Sequence, residues 1–237
     1  MENSKKIKIA LLGYGQMGNM IESISDKHGC EVVERYWDVR PLRPDEATRK
    51  ALKDVSVMID FSVPEAVIEN ILSCASMSIN MVVGTTGWAD RLDEAKHIVK
   101  KSRIGLVHAS NFSLGVNLYY KIVEYAGRLF KAFENYDPFI EESHHKRKKD
   151  APSGTAKVLK NLIQPYYGEK EIPVTSVRAG YIPGIHTVNF DSAVDTIRLQ
   201  HAARSREGFA EGALLAARWI VDRKGFYEFR DVLESFV

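Results

Sequence analysis

The sequence has little cysteine, few prolines and almost no excess of either charge. Its 237 residues hold two cysteines, Cys30 and Cys74. They lie too far apart for a metal-ligand or redox motif, so free buried thiols in a reducing compartment are expected. A net charge of +2 gives no global reason to expect a nucleic-acid partner. No apolar run reaches the length needed to cross a bilayer. Lys5-Lys6 followed by Ile7 to Leu12 imitates a signal peptide, but Gly13, Gly15 and Gly18 interrupt it and no small-residue cleavage site follows. A cytoplasmic protein with no membrane partner is the expectation. Internal repeats, low-complexity tracts and flexible linkers are missing too. The 45% hydrophobic content at this length is enough for one or two packed domains.

What is present begins with an apolar run over 7–12, of strand length. Gly13-Tyr14-Gly15-Gln16-Met17-Gly18 follows at once, then a helical pattern over 20–27 and a second strand pattern over 31–37. Asp38 stands twenty residues beyond Gly18. Strand, glycine loop, helix, strand and acid in that order form the dinucleotide-binding fingerprint. Its glycines let the backbone approach a pyrophosphate, and the helix N-terminus supplies partial positive charge. Asp38 is placed to accept from the adenosine ribose hydroxyls, with Glu34 as a less well placed rival. An acid there disfavours a 2′-phosphate, while Arg40 and Arg43 could tolerate one. NADH is therefore expected to serve well and NADPH to be possible.

Strand patterns over 57–61, 81–83 and 104–109 alternate with helical patterns over 64–74 and 89–101. Each strand ends in small or polar residues: Phe61-Ser62, then Gly84-Thr85-Thr86-Gly87, then Ala109-Ser110-Asn111-Phe112. In a doubly wound sheet such ends line the binding crevice. A long helical pattern over 114–133 follows, with apolar residues at Leu118, Ile122, Tyr125, Leu129 and Phe133, and reads as a structural element carrying the chain into a second domain. Strand patterns over 136–140, 174–179, 186–191 and 196–201 suggest a mixed or antiparallel second sheet. An amphipathic helix over 206–222 and a tail over 226–237 return to the first domain. The predicted architecture is α/β: a Rossmann-like doubly wound parallel sheet over 1–113 and 205–237, and an α+β domain over 114–204.

Between the strand ending near Ile140 and a helical pattern over 156–163 lies the densest chemistry in the chain. Glu141-Glu142-Ser143-His144-His145 leads into Lys146-Arg147-Lys148-Lys149-Asp150 and Ala151-Pro152-Ser153-Gly154-Thr155. A Pro-Ser-Gly-Thr turn opening a helix presents unpaired N–H groups, which bind carboxylates. Histidines and cations a few residues upstream supply proton donors. The combination suits a small anionic substrate that must be protonated. No Cys, Asp or Glu stands at metal-ligand spacing from the two histidines, so no metal is expected.

These residues resemble the 4-hydroxy-tetrahydrodipicolinate reductase (dihydrodipicolinate reductase) family over nearly the whole chain. Besides the glycine loop, the resemblance rests on Ile59-Asp60-Phe61-Ser62, Val83-Gly84-Thr85-Thr86-Gly87 and Asn111-Phe112-Ser113-Leu114-Gly115-Val116-Asn117. Its most specific part is Glu142-Ser143-His144-His145 with Lys148 and Asp150-Ala151-Pro152-Ser153-Gly154-Thr155-Ala156. It implies hydride transfer from NADH or NADPH to a cyclic, unsaturated dicarboxylate imine, on the diaminopimelate route to lysine. By the resemblance, His144 and Lys148 are the catalytic donors, and His145, Lys148, Gly154 and Thr155 contact the substrate carboxylates. Gly13 to Gly18, Gly84 to Thr86 and Ala109 to Phe112 contact the cofactor. A homotetramer built on the second-domain sheet is implied as well.

Three departures from the family pattern stand out. The glycine loop is one residue shorter than in some members and lacks their arginine. Ile185 precedes His186 where many members carry Glu, and the connection between Gln164 and Val174 is short. Two rival readings are another two-domain NAD(P)-dependent amino-acid dehydrogenase, and a non-catalytic NAD-sensing or nucleic-acid-binding protein. The first has no need of His144-His145 joined to Pro-Ser-Gly-Thr. The second lacks aromatics interleaved with the basic run.

Overall fold

The computed structural model describes residues 6–236. It separates into two compact units, one running to Leu114 and resuming at Arg206, the other spanning Gly115–Ser205.

The first unit follows from its short apolar runs. β1 (Ile7–Leu12), β3 (Val57–Asp60), β4 (Asn80–Val83) and β5 (Gly105–His108) are almost wholly buried, as central parallel strands with both faces covered must be. With β2 (Cys30–Tyr36) and β10 (Gly225–Glu228) they form one parallel sheet, in the order β10-β5-β4-β3-β1-β2. Alternation along β1 divides the core in two. Ile9 and Leu11 pack with α1 (Gln16–Ser25), α7 (Glu207–Ile220) and α8 (Phe229–Glu234). Ala10 and Leu12 pack with α3 (Val67–Ser76) and α4 (Leu92–Ser102) on the other face. A short α2 (Glu46–Ala51), absent from the sequence reading, is capped by Asp45. The C-terminal tail is also more than a returning segment, since it supplies both β10 and α8.

The second unit carries β6 (Asp137–His144), β7 (Val174–Arg178), β8 (Ile185–Asp191) and β9 (Thr196–Ala202) in the order β7-β6-β8-β9. β6 and β7 run parallel, and β6, β8 and β9 are antiparallel. Ile140, Val188 and Phe190 pack against α5 (Leu114–Phe130) and α6 (Gly154–Ile163).

The apolar residues that mark α5 in the sequence are not the ones it buries. Val116, Tyr119, Val123 and Ala126 are buried, whereas Leu118, Ile122, Tyr125 and Leu129 are exposed. Both sets repeat at helical spacing, so periodicity alone could not choose between them. β6 is longer than expected and runs through His144 instead of ending at Ile140.

Buried Asn80 closes the first unit at the C-terminal end of α7. Its amide donates to the carbonyls of Ile220 (2.7 Å) and Val221 (2.9 Å), while its Oδ1 accepts from the Gly105 N–H at 2.8 Å. Truncating it orphans helix-end carbonyls and a strand N–H together. Asn80→Ala should therefore cost about 2–6 kcal/mol, from roughly 1–3 kcal/mol for each of the two fully buried partners, the Ile220 carbonyl and the Gly105 N–H, read as a lower midpoint in urea unfolding.

Candidate active site

In the first unit the glycine loop joins β1 to α1. Gly13 has φ +82°, and a Cβ there would lie 2.3 Å from the Phe61 carbonyl oxygen, so only glycine fits. Its N–H donates to the Tyr36 carbonyl at 2.9 Å. Gly15 caps α1 with no side-chain bond, has open space where a Cβ would be, and is followed by no acid in the first turn. That leaves helix N–H groups and a positive dipole end with no side-chain cap or acid to neutralise them, which fits a bound pyrophosphate. Tyr14 turns its hydroxyl to Glu22, and Met17 and Gly18 pack inward. Arg206 donates to the Gln16 side chain. A guanidinium from a distant part of the chain thus sits at the loop where the sequence lacks its expected arginine. Motif reading had missed it.

Two of the other strand-end clusters, Phe61-Ser62 and Gly84 to Gly87, are tied together by Asp60, which is fully buried. It accepts from Ser62 N (2.8 Å), Asn70 Nδ2 (2.9 Å) and Thr85 Oγ1 (2.9 Å). Burial pushes its pKa up, against those hydrogen bonds. Gly84 N also donates to the Asp60 carbonyl at 2.8 Å. Thr86 and Ser110 are exposed, Ala109 N donates to the Val83 carbonyl, and Asn111 Oδ1 accepts from Ser113 N at 2.8 Å. Phe112 is different. Its ring is buried against Phe229, centroids 4.9 Å apart, so its side chain belongs to the core. Asp38 lies exposed in a tight turn closed by reciprocal backbone bonds between Trp37 and Arg40. Arg40 is engaged by Glu34 at 2.8 Å.

In the second unit, period-2 alternation along β6 places Ile140, Glu142 and His144 on its buried face. Glu142 Oε1 accepts three hydrogen bonds, from Ser153 N (2.9 Å), Ser176 Oγ (2.6 Å) and Arg178 Nη2 (2.7 Å). Burial alone would raise its pKa, but these bonds carry it down to about 2. Its other oxygen, Oε2, faces His144 Nδ1 at 3.2 Å and His186 Nε2 at 3.6 Å. Burial lowers the pKa of His144 against the pull of Glu142. Burial and the neighbouring His144 push His186 down to about 4.

Ser153 N-caps α6, accepting from Ala156 N at 3.2 Å, so the first N–H groups of that helix belong to Gly154 and Thr155. His145 is tied through its N–H to the Ile182 carbonyl (2.8 Å), and Lys148 pairs with Asp150 at 2.7 Å. The nearest charge to Lys148 is thus a carboxylate, although three cations adjoin it in sequence. His144, His145, Lys148, Gly154 and Thr155 all belong to this one strand-end, loop and helix-start assembly. Ile185 opens β8 between Ser143 and Ala202, in a strand and not a turn.

Donor atoms of Glu142, His144 and His186 lie within 4.8 Å of one another, an arrangement the spacing argument against a metal did not foresee. Glu142 is two residues from His144 on the same strand face, and β8 delivers His186. The surrounding charge favours a proton over a dication there. Arg178 already holds the same carboxylate, and both Arg178 and Lys148 act on His144 as like charges.

Glu142 also sets an acid limit on stability. Its folded pKa of about 2 lies below the ordinary 4.5, so its stabilisation is complete above pH 4.5 and drains away as pH falls towards 2. The stability gap between the wild type and Glu142→Gln, of the order of 3 kcal/mol near neutral pH, should close across that window in urea melts at stepped pH.

Residues 7–112 match the family model for the N-terminus of dihydrodipicolinate reductase, and residues 115–233 match that for its C-terminus. A 4-hydroxy-tetrahydrodipicolinate reductase of Christiangramia forsetii is 39% identical, covering 97% of this chain and 98% of its own. One from Archaeoglobus fulgidus is 34% identical over 96% of this chain and all (100%) of its own. A dipicolinate-bound dihydrodipicolinate reductase from a Paenisporosarcina species shares the fold, with a TM-score of 0.78 at 24% identity over 95% of this chain and 99% of that one. With both halves matched and relatives aligned from end to end, the chain belongs to the dihydrodipicolinate reductase family.

Proposed function

We propose that this chain reduces 4-hydroxy-tetrahydrodipicolinate to tetrahydrodipicolinate, with loss of water, using NADH or NADPH on the diaminopimelate route to lysine. The observation that carries the reading is the assembly in the second unit: a buried histidine on a carboxylate, a lysine, and the open N-terminus of α6. When bound, the reduced nicotinamide supplies the hydride. Gly13 to Gly18 and the first turn of α1 hold its pyrophosphate, with Arg206 adding positive charge. Asp38 accepts from the ribose hydroxyls. Gly84 to Thr86 and Ala109 to Phe112 line the crevice at the strand ends, Phe112 through its backbone.

On the substrate side, the Gly154 and Thr155 N–H groups, His145 and Lys148 take up the carboxylates. Hydride addition leaves the ring electron-rich, and His144 with Lys148 supplies the proton that completes the reduction. The protein acts in the cytoplasm without a nucleic-acid partner. Asp150 pairs the central lysine of the basic run, and among the described residues no helix is long and apolar enough to cross a membrane.

In a coupled assay, with an upstream synthase making substrate from pyruvate and aspartate semialdehyde, both cofactors should be oxidised. His144→Gln and Lys148→Ala should lose about 10²–10⁴-fold in kcat while still binding NADH. Wild-type turnover in His144→Gln would remove that residue from the chemistry. No oxidation with either cofactor, in folded protein that binds NADH, would leave the fold and sink the function.

Assembly belongs to the same reading. Ile122, Tyr125 and Leu129 on α5 are each more than half exposed, and Ile197 lies open on β9. A homotetramer built on the second unit would remove such surface from water. Sedimentation equilibrium should give about four times the chain mass. A monomer at micromolar concentration would refute the assembly and not the chemistry.

A further inference from the structure

We propose that Glu142 is a positioning residue for His144, fixing the Nδ1–H tautomer of the imidazole through Oε2 and leaving Nε2 as the atom that gives up the proton. The inference rests on the reading of His144 as the proton donor. Among the described residues, neither Glu142 Oε2 nor His144 Nδ1 has a hydrogen-bond partner, although both are buried and stand 3.2 Å apart. A buried carboxylate oxygen and a buried ring nitrogen left unpaired are each costly. One proton on Nδ1, with a small turn of the ring, satisfies both. Glu142 is well suited to hold that proton acceptor in place. Its other oxygen is locked by donors from α6, β7 and Arg178, so the carboxylate cannot rotate away.

A Cβ on residue 184 would sit 3.1 Å from His144 Nε2, so a side chain there would crowd that nitrogen and glycine does not. The proton balance follows. The imidazolium donates from Nε2 to the electron-rich ring, the neutral imidazole keeps its Nδ1 proton against Glu142, and solvent restores the lost proton. His186 approaches the same Oε2 from β8, but it is held neutral by its burial and its neighbour, so it does not compete for the charge. The other groups acting on His144 are Lys148 and Arg178, which disfavour its cation, and Asp150, which favours it.

Nitrogen-15 histidine NMR of the wild-type protein tests this directly, with the His144 signals identified by their loss in His144→Gln. Neutral His144 is expected as the Nδ1–H tautomer, and the Nε2–H tautomer would overturn the proposal. Kinetics give a second reading. His144 must be protonated to donate, so activity falls as pH rises through its pKa. Removing the Glu142 charge lowers that pKa. In Glu142→Gln the alkaline limb of kcat should move down by about one pH unit, a tenfold loss at fixed pH on that limb. An unshifted limb in a folded variant would reduce Glu142 to a structural anchor. One equivalent of zinc retained through dialysis, and lost in His186→Gln, would assign the cluster to a metal and also overturn the proposal. If the wild type lacked reductase activity the functional reading would fall, while the tautomer measurement would still decide the role of Glu142.

Discussion

The second unit depends on a charge placed where charge is expensive. Glu142 is buried, and an unpaired carboxylate in such a place would cost several kcal/mol or would simply take up a proton. It stays ionised because Arg178, Ser176 and the Ser153 N–H converge on one of its oxygens. Those three donors come from β7, its last residue, and the entry to α6. The interaction that neutralises the charge therefore also fixes where α6 begins and where its free N–H groups sit. Asp60 in the first unit shows the alternative outcome. It too is buried and receives donors from Ser62, Asn70 and Thr85, but all of them are neutral, and burial shifts its pKa upward. One carboxylate with a cation and one without end on opposite sides of the ordinary carboxyl value.

Much of the first unit was legible in the sequence because parallel strands covered on both faces read as plain apolar runs. Ile7 to Leu12 followed by Gly13-Tyr14-Gly15 leaves little choice of structure. β10 was not legible. Gly225-Phe226-Tyr227-Glu228 is short and mixed, and its partner β5 lies more than a hundred residues earlier, so nothing local marks it as a strand. The buried face of α5 was not legible, for a different reason. That helix carries two apolar stripes, and only the packing of Tyr119 and Val123 on β6 and β8 decides which of them is core.

The candidate site was legible as a cluster in sequence and not in its connections. His144, His145, Lys148, Gly154 and Thr155 sit close in sequence, so motif reading could gather them. Glu142 was quoted in the same motif, but its role depends on β6 continuing to His144. Its residues Glu141-Glu142-Ser143-His144 carry no apolar signal of a strand. Had the strand been extended, alternation alone would have put Glu142 and His144 on one face. Arg178, His186 and Arg206 reach their positions through β7, β8 and the return of the chain to the first unit, and no local pattern announces such contacts.

Arg206 also changes how the cofactor end is understood. The short glycine loop lacks the arginine that some family members carry, yet Arg206 places a positive charge beside Gln16. Under the proposed function, pyrophosphate binding would not need an arginine within the loop itself. Under the same reading, discrimination at the 2′-position would rest on separate residues. Arg40 is turned onto Glu34 and donates to the Arg35 carbonyl, so it would have to leave both to meet a 2′-phosphate. Such an exposed pair is worth about 0–1 kcal/mol, a few-fold in affinity at most. Asp38 adds a repulsion that solvent screens. These terms are small because the groups that could reject or reward a phosphate are all at the surface, in keeping with a site open to NADH or NADPH.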